Sequence, residues 1–254
     1  MDNIVFRNED EMGEFFNNLC VLGYGSEGVC YRDKDVVCKK YNNEYINLYN
    51  NDIATYRLLK YRDVIVDNIY FVRSLIYLDN LMIGSVSEYA SGVSCSKKML
   101  SRCNIDKLIS ALSILKNNIY GLSKMGICID DSYLGNILYD GVNFKLIDTG
   151  SYFNYDDIYG IDNLDVSIIF DRNMRKVMRL LFMNITGSYL EEDNFVLSFL
   201  WRINSPYKSY LVDRDLLCNP DVTIMGIKNI ISEYSDYSID NFSDCKKLIK
   251  KNYK

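Results

Sequence analysis

The hydrophobic pattern changes period near residue 90, and this limits the chain to folds in which a sheet-rich part precedes a helical one. Before that point the apolar residues come in short runs. Val21-Leu22 leads into a glycine turn, Val29 to Tyr31 leads out of it, and Val36-Val37-Cys38 follows the polar Asp33-Lys34-Asp35. Strand, turn, strand, turn, strand is the pattern of an antiparallel meander. A helical segment with Ile53, Tyr56, Leu58 and Leu59 on one face comes next. Two further apolar runs, Ile69 to Leu78 and Leu81 to Val86, predict a second pair of strands. Glu88-Tyr89-Ala90-Ser91-Gly92 then breaks the pattern.

Beyond it, Ile105, Leu108, Ile109, Leu112, Leu115, Ile119 and Leu122 predict a long amphipathic helix ending near Gly126. Short strands, Ile137 to Tyr139 and Phe144 to Ile147, flank an Asp140-Gly141 turn. Val166 to Met183, Phe195 to Ile203 and Ile224 to Tyr234 read as helices. The expected fold class is α+β. Residues 1–88 form a small antiparallel sheet with one helix, and residues 89–254 form a mostly helical part.

Composition narrows the chemistry. With 48% hydrophobic residues, 14 glycines and only 2 prolines in 254 residues, a collagen-like or disordered chain is excluded. There is no histidine, which removes Ser-His-Asp and Cys-His triads and His-ligated zinc. Catalysis must therefore run on carboxylates, lysine, cysteine or a bound metal. The net charge of -5 argues against a nucleic-acid partner. The eight cysteines are dispersed, form no C-x-x-C pair and sit mostly in apolar stretches. They read as reduced structural thiols. The acidic N-terminus lacks the layout of a secretion signal, and no apolar run approaches the roughly 20 residues of a membrane span. A cytoplasmic location with no membrane contact is expected. The heavy use of Asn, Ile, Tyr and Lys reads as a bias of an AT-rich genome.

Three segments carry candidate chemistry. The first is Gly23-Tyr24-Gly25-Ser26-Glu27-Gly28, between two strands. A strand on both sides fits a flap whose backbone N–H groups lie over phosphates, though the segment read alone favours a plain hairpin turn. The second is Val36-Val37-Cys38-Lys39, a lysine ending an apolar strand beside that flap. It suits either an ammonium near phosphates or a surface lysine. The third is Asp131-Ser132-Tyr133-Leu134-Gly135-Asn136-Ile137-Leu138, followed by Leu146-Ile147-Asp148-Thr149-Gly150.

In this order, D-x-x-x-x-N-I-L, a strand pair and L-I-D-x-G resemble the catalytic and metal-binding loops of the protein kinase superfamily. Glu88-Tyr89-Ala90-Ser91-Gly92 is similar to that family's inter-lobe hinge. The resemblance implies a two-lobed, protein-kinase-like fold and transfer of the γ-phosphate of Mg²⁺-ATP to a hydroxyl acceptor. It implies that Asp131 orients the acceptor hydroxyl and takes its proton. Asn136 and Asp148 would hold Mg²⁺, and Lys39 would bind the α- and β-phosphates. Gly23, Gly25, Ser26 and Gly28 would line the phosphates, and backbone groups of Glu88 and Ala90 would meet the adenine edge. Cys30, Val37 and Leu138 would sandwich the ring. Asp52, with Glu44 as rival, would be the carboxylate that pairs with Lys39.

Departures from the family pattern shape the functional expectation. Ile129, Asp130 and Thr149 stand where histidine, arginine and phenylalanine are usual, and Tyr133 replaces a lysine. Only about sixteen residues separate Asp148 from Asp165, without an A-P-E sequence. A Ser/Thr-type protein kinase acting as a monomer on ATP and a protein acceptor is the leading expectation. The alternatives are a small-molecule kinase of the aminoglycoside or choline phosphotransferase type, suggested by Gly135 before Asn136, and a nucleotide-binding pseudokinase. The lysines from Lys246 to Lys254 read as the solvated face of a last helix, and Trp201 as helix core.

Overall fold

The computed structural model describes residues 1–100, 102–130, 133–160 and 165–186. The chain divides into two compact units. One comprises Met1–Ser91 together with Leu146–Tyr152, the other Gly92–Lys145 and the chain from Phe153 onward.

The first unit contains β1 (Ile4–Phe6), α1 (Glu9–Asn17), β2 (Cys20–Tyr24), β3 (Gly28–Asp33), β4 (Val36–Tyr41), α2 (Asn43–Tyr49), α3 (Asp52–Leu59), β5 (Val72–Leu78) and β6 (Leu81–Glu88). The six strands form one sheet in the order β1-β5-β6-β4-β3-β2. All neighbours are antiparallel except β1 and β5, where Ile4 lies beside Ile76 and Phe6 beside Leu78 in parallel. The sheet is therefore mixed, and the unit has three helices where one was expected. Of the additional elements, β1 and α1 come from the N-terminus and α2 lies between β4 and α3. Asn8 caps α1 by accepting the Glu11 N–H at 2.9 Å, and Glu9, Asp10 and Glu11 line the positive end of the helix dipole. Met12, Phe15 and Phe16 then pack against a core of Phe6, Cys38, Ile76, Ile83 and Val86.

Helix α3 turns a different face inward from the one expected. Ile53 and Tyr56 are 67% and 64% exposed, whereas Leu58 is buried against Tyr41, Leu75 and Met82. Periodicity shows which residues share a face, but not which face meets the sheet. Here the smaller Ala54 and Thr55, half-buried beside Leu58, let the helix approach. Strand β5 begins at Val72. The buried Ile69 and Phe71, expected within it, belong to the preceding loop.

The second unit contains β7 (Val93–Ser94), α4 (Lys97–Leu100), α5 (Ile105–Lys124), β8 (Ile127–Cys128), β9 (Ile137–Tyr139), β10 (Phe144–Leu146), β11 (Phe153–Asn154), α6 (Tyr155–Tyr159) and α7 (Val166–Thr186). The strands form a three-stranded sheet, β10-β9-β7, and a pair, β11-β8. Helix α5 buries Leu108, Ala111, Leu112, Leu115, Ile119 and Leu122, as its apolar spacing predicts. It stops at Gly126, whose φ of 74° is left-handed and where a Cβ would lie 2.9 Å from Asn154 Oδ1. Helix α7 buries Ile169, Asn173, Val177 and Leu181 at four-residue spacing and packs on α5. The expected helices Phe195 to Ile203 and Ile224 to Tyr234, with Trp201 and the final lysines, lie outside the described residues. Among the described residues no helix is long and apolar enough to cross a membrane.

Asparagine has a structural use that composition did not suggest. Asn8, Asn42, Asn51, Asn104 and Asn154 each open a helix with the side chain accepting a first-turn N–H.

Candidate functional site

Alternation along β4 sends Cys38 into the core under the sheet and Lys39 to the other face. Lys39 Nζ donates to Asp148 Oδ1 at 2.8 Å and Oδ2 at 3.0 Å, and to Glu27 Oε2 at 2.5 Å. The lysine side chain is 14% exposed and that of Asp148 is 41% exposed. Burial disfavours the ammonium, but the charge and hydrogen bonds of Asp148, joined by those of Glu27, outweigh it. The Lys39 pKa is raised above the ordinary lysine value.

Asp148 is placed by a short segment woven into the first unit. Leu146 donates its N–H to Asn68 O at 2.8 Å and accepts the Tyr70 N–H at 2.9 Å. Thr149 Oγ1 donates to Tyr70 O at 3.0 Å, and Tyr152 meets Phe71 edge-on with ring centroids 6.2 Å apart. Between these anchors Asp148 adopts φ 56° and ψ 52°, a left-handed conformation that aspartate tolerates better than most residues. This turn brings its carboxylate to a lysine 109 positions earlier.

The flap between β2 and β3 is fastened by one residue. Asn42 donates its backbone N–H to Glu27 O at 2.8 Å and its side-chain Nδ2–H to Ser26 O at 2.7 Å, while its Oδ1 accepts the Tyr45 N–H at 3.0 Å. The flap closes on itself through Gly25 N–H to Gly28 O at 2.8 Å. Tyr49, on α2, donates its hydroxyl to Glu27 Oε1 at 3.4 Å.

The three flap glycines have different surroundings. A Cβ on Gly28 would lie 2.0 Å from Lys40 O, so that glycine is required by the approach of β3 to β4. A Cβ on Gly23 would meet nothing within 4 Å, and one on Gly25 only Gly28 O at 3.8 Å.

Cys30 is the cross-strand partner of Lys39. Burial raises its thiol pKa, and Lys39 works against that rise. Val37 lies two register positions away, opposite Arg32 on one side and Ser87 on the other. Glu88 pairs with Val36, and its carboxylate accepts from Arg73 Nη2 at 3.4 Å. Ala90 is buried, and Tyr89 lies under the Arg32 guanidinium at 3.8 Å. Gly23, Gly25, Ser26, Gly28, Cys30, Val37, Lys39, Glu88, Ala90 and Asp148 all belong to the first unit.

Two sequence candidates fall in the second unit. Asn136 ends a single 3₁₀ turn, its N–H donated to Tyr133 O at 2.9 Å, and Leu138 is buried in β9. A Cβ on Gly135 would lie 2.5 Å from the Tyr133 ring, which is 68% exposed and has room to swing aside. Asp131 lies outside the described residues, and so does the side chain of Asp52, which heads α3.

Several site residues were not singled out in the sequence. Glu27 is the sole acidic residue of the flap, and a buried ammonium on the adjoining strand requires counter-charge, which was the available signal. Asn42 and Tyr49 carried no comparable one. In the second unit, buried Asn173 accepts the Ile129 N–H at 2.8 Å and donates to Ile127 O at 2.9 Å and Ser123 Oγ at 3.0 Å. Lys176, one turn further along α7, forms an ion pair with Asp130.

No protein-family model matches the sequence, and no curated protein does either. Among solved structures the chain is similar to a twitchin kinase fragment from C. elegans, described as an autoregulated protein kinase with immunoglobulin domains. The TM-score is 0.55 at 12% identity, over 93% of this chain and 63% of that structure. At that identity the likeness speaks to fold alone. The chain has a protein-kinase-like fold.

Proposed function

We propose that the chain is a phosphotransferase that moves the γ-phosphate of Mg²⁺-ATP to a hydroxyl, with a Ser/Thr side chain of a protein as the acceptor. The observation that carries this reading is the Lys39–Asp148 pair, at 2.8 and 3.0 Å beside a glycine flap. Phosphoryl transfer asks a protein for positioning and charge neutralisation, and needs no histidine.

The donor set suits the cofactor. Among the described residues no three Cys, Asp or Glu side chains converge on a metal cage. Mg²⁺ needs none, because it is held by one or two carboxylates together with substrate phosphates. Asp148 offers such a carboxylate. When bound, Mg²⁺-ATP supplies the transferable phosphoryl group and the cation that neutralises it. Lys39 would hold the α- and β-phosphates, and Gly23 and Gly25 leave the flap backbone bare at those two positions. Cys30 and Val37 would flank the adenine, whose edge would meet backbone groups of Glu88 and Ala90. Asp131 orients the acceptor hydroxyl and takes its proton.

A second reading, a small-molecule acceptor, draws on the segment after Asp148. There the chain forms a 3₁₀ turn, the two-residue strand β11 and the short helix α6, with little length for an extended peptide platform. Intact-mass spectrometry after incubation with Mg²⁺-ATP, beside Asp148→Ala, separates the readings. Added phosphoryl mass in the wild type alone supports a protein kinase. ATP turnover only with an added metabolite supports the second reading. Nucleotide-dependent thermal stabilisation without turnover leaves a pseudokinase.

A further inference from the structure

We infer that Glu27, on the flap, is the residue that positions Lys39, so that lysine orientation and flap order are one event. The inference rests on the phosphotransferase reading for its functional meaning and on geometry for its content. Glu27 is held at three points. Its carbonyl accepts the Asn42 N–H at 2.8 Å, Oε1 accepts the Tyr49 hydroxyl at 3.4 Å, and Oε2 accepts from Lys39 at 2.5 Å. Both carboxylate oxygens are thus engaged, one by the strand and one by a helix.

An ammonium offers three protons. Asp148 and Glu27 take them from two directions, which fixes the direction of the Nζ head. The Glu27 side chain is 23% exposed, so its attraction to Lys39 is weakly screened. Tyr49 holds Glu27 from the side of α2, whose residues Tyr45, Ile46 and Tyr49 pack with the buried Tyr41. The flap carboxylate therefore occupies the space between the lysine and the helix layer. Sequence reasoning expected that space to be filled from the helices, by Asp52 or Glu44. A lysine oriented from the flap loses its alignment whenever the flap loosens, and any ligand that orders the flap restores it.

The test is ¹⁵N NMR of the lysine ammonium groups in the full chain near neutral pH, with the Lys39 signal assigned by its loss in Lys39→Arg. In the wild type a slowly exchanging Lys39 signal is expected. Glu27→Gln should speed its exchange with water at least about tenfold, the factor that goes with losing a charge-assisted hydrogen bond. Glu27→Asp should retain a displaced signal, which a merely structural role for the residue would not give. Tyr49→Phe should act in the direction of Glu27→Gln but more weakly, and it keeps the test open should Glu27→Gln fail to fold. Glu44→Gln and Asp52→Asn should leave the signal in place. An unchanged signal in Glu27→Gln, its loss in Asp52→Asn or Glu44→Gln, or no protected Lys39 signal in the wild type overturns the inference. Titrating the wild type with Mg²⁺-ADP tests the nucleotide reading separately. A Lys39 signal that ignores millimolar nucleotide counts against a phosphotransferase while the Glu27 result stands or falls alone.

Discussion

The Asn42 amide donates to the Glu27 carbonyl at 2.8 Å, so the residue that caps α2 also holds the flap in place. Replacing Asn42 by Ala removes the cap and the side-chain bond to Ser26 O together. Stability should fall by about 1–2 kcal/mol, the usual cost of a lost cap. Amide exchange within the flap should rise by more than that global loss explains. Urea melts paired with hydrogen exchange would check this, and uniform exchange across the unit would sink it.

Gly28 and Gly23 make a matched pair for separating fold from ligand. Gly28→Ala drives a Cβ into Lys40 O and should cost about 1–3 kcal/mol, as overpacking does. Gly23→Ala meets open space and should stay within about 0.5 kcal/mol of the wild type. Thermal melts of both variants decide the matter. Equal destabilisation would mean that the flap glycines share one structural task.

Buried acids should make the fold sensitive to alkali. Burial pushes the Cys38 thiol up to about 11 and the Tyr41 phenol up to about 12. The folded chain therefore keeps protons that the unfolded chain releases from about pH 9 upward. The associated stability is complete below pH 9 and is lost as pH rises through the folded values. By pH 10 each such thiol should cost about 1 kcal/mol. Urea melts between pH 7 and pH 10.5 should show a shallower loss for Cys38→Ala than for the wild type. Parallel curves would refute the assignment.

Asn173 is buried and fully engaged, its amide serving Ile129, Ile127 and Ser123. Asn173→Ala should destabilise by about 2–4 kcal/mol, because it strands the Ile129 N–H and the Ile127 carbonyl without water. Asn173→Asp keeps the acceptor for Ile129 but sets a buried carboxylate against the Ile127 carbonyl, and should destabilise at least as much as alanine. A melt in which alanine equals the wild type would remove Asn173 as an anchor of this loop.

How much of this was legible depends on how local the cause was. The α5 stripe from Leu108 to Leu122 and the Lys39 strand were readable because each rests on side-chain spacing within one element. The β1–α1 segment was also within reach, through Asn8 and Glu11 followed by Met12, Phe15 and Phe16, but its length concealed it. Ile53 and Tyr56 misled because the inward face of α3 is chosen by the sheet it meets. The Glu27–Lys39 contact joins residues 12 apart across a hairpin. It depends on the β3–β4 register and on Asn42, neither of which a motif records. The resemblance supplied the order of the motifs and assigned the lysine's partner to a helix.

The segment Leu146–Tyr152 completes a unit whose other residues end at Ser91. During synthesis, then, the ribosome delivers the whole six-stranded sheet well before the strip that supplies Asp148 to Lys39 and Tyr152 to Phe71. Until that strip emerges, Phe71 lacks the aromatic edge it packs against and Lys39 lacks one of its two counter-charges. A nascent chain that has not yet reached this strip is therefore a distinct species, its sheet complete in strands but lacking the Asp148 partner of Lys39 and the Tyr152 partner of Phe71.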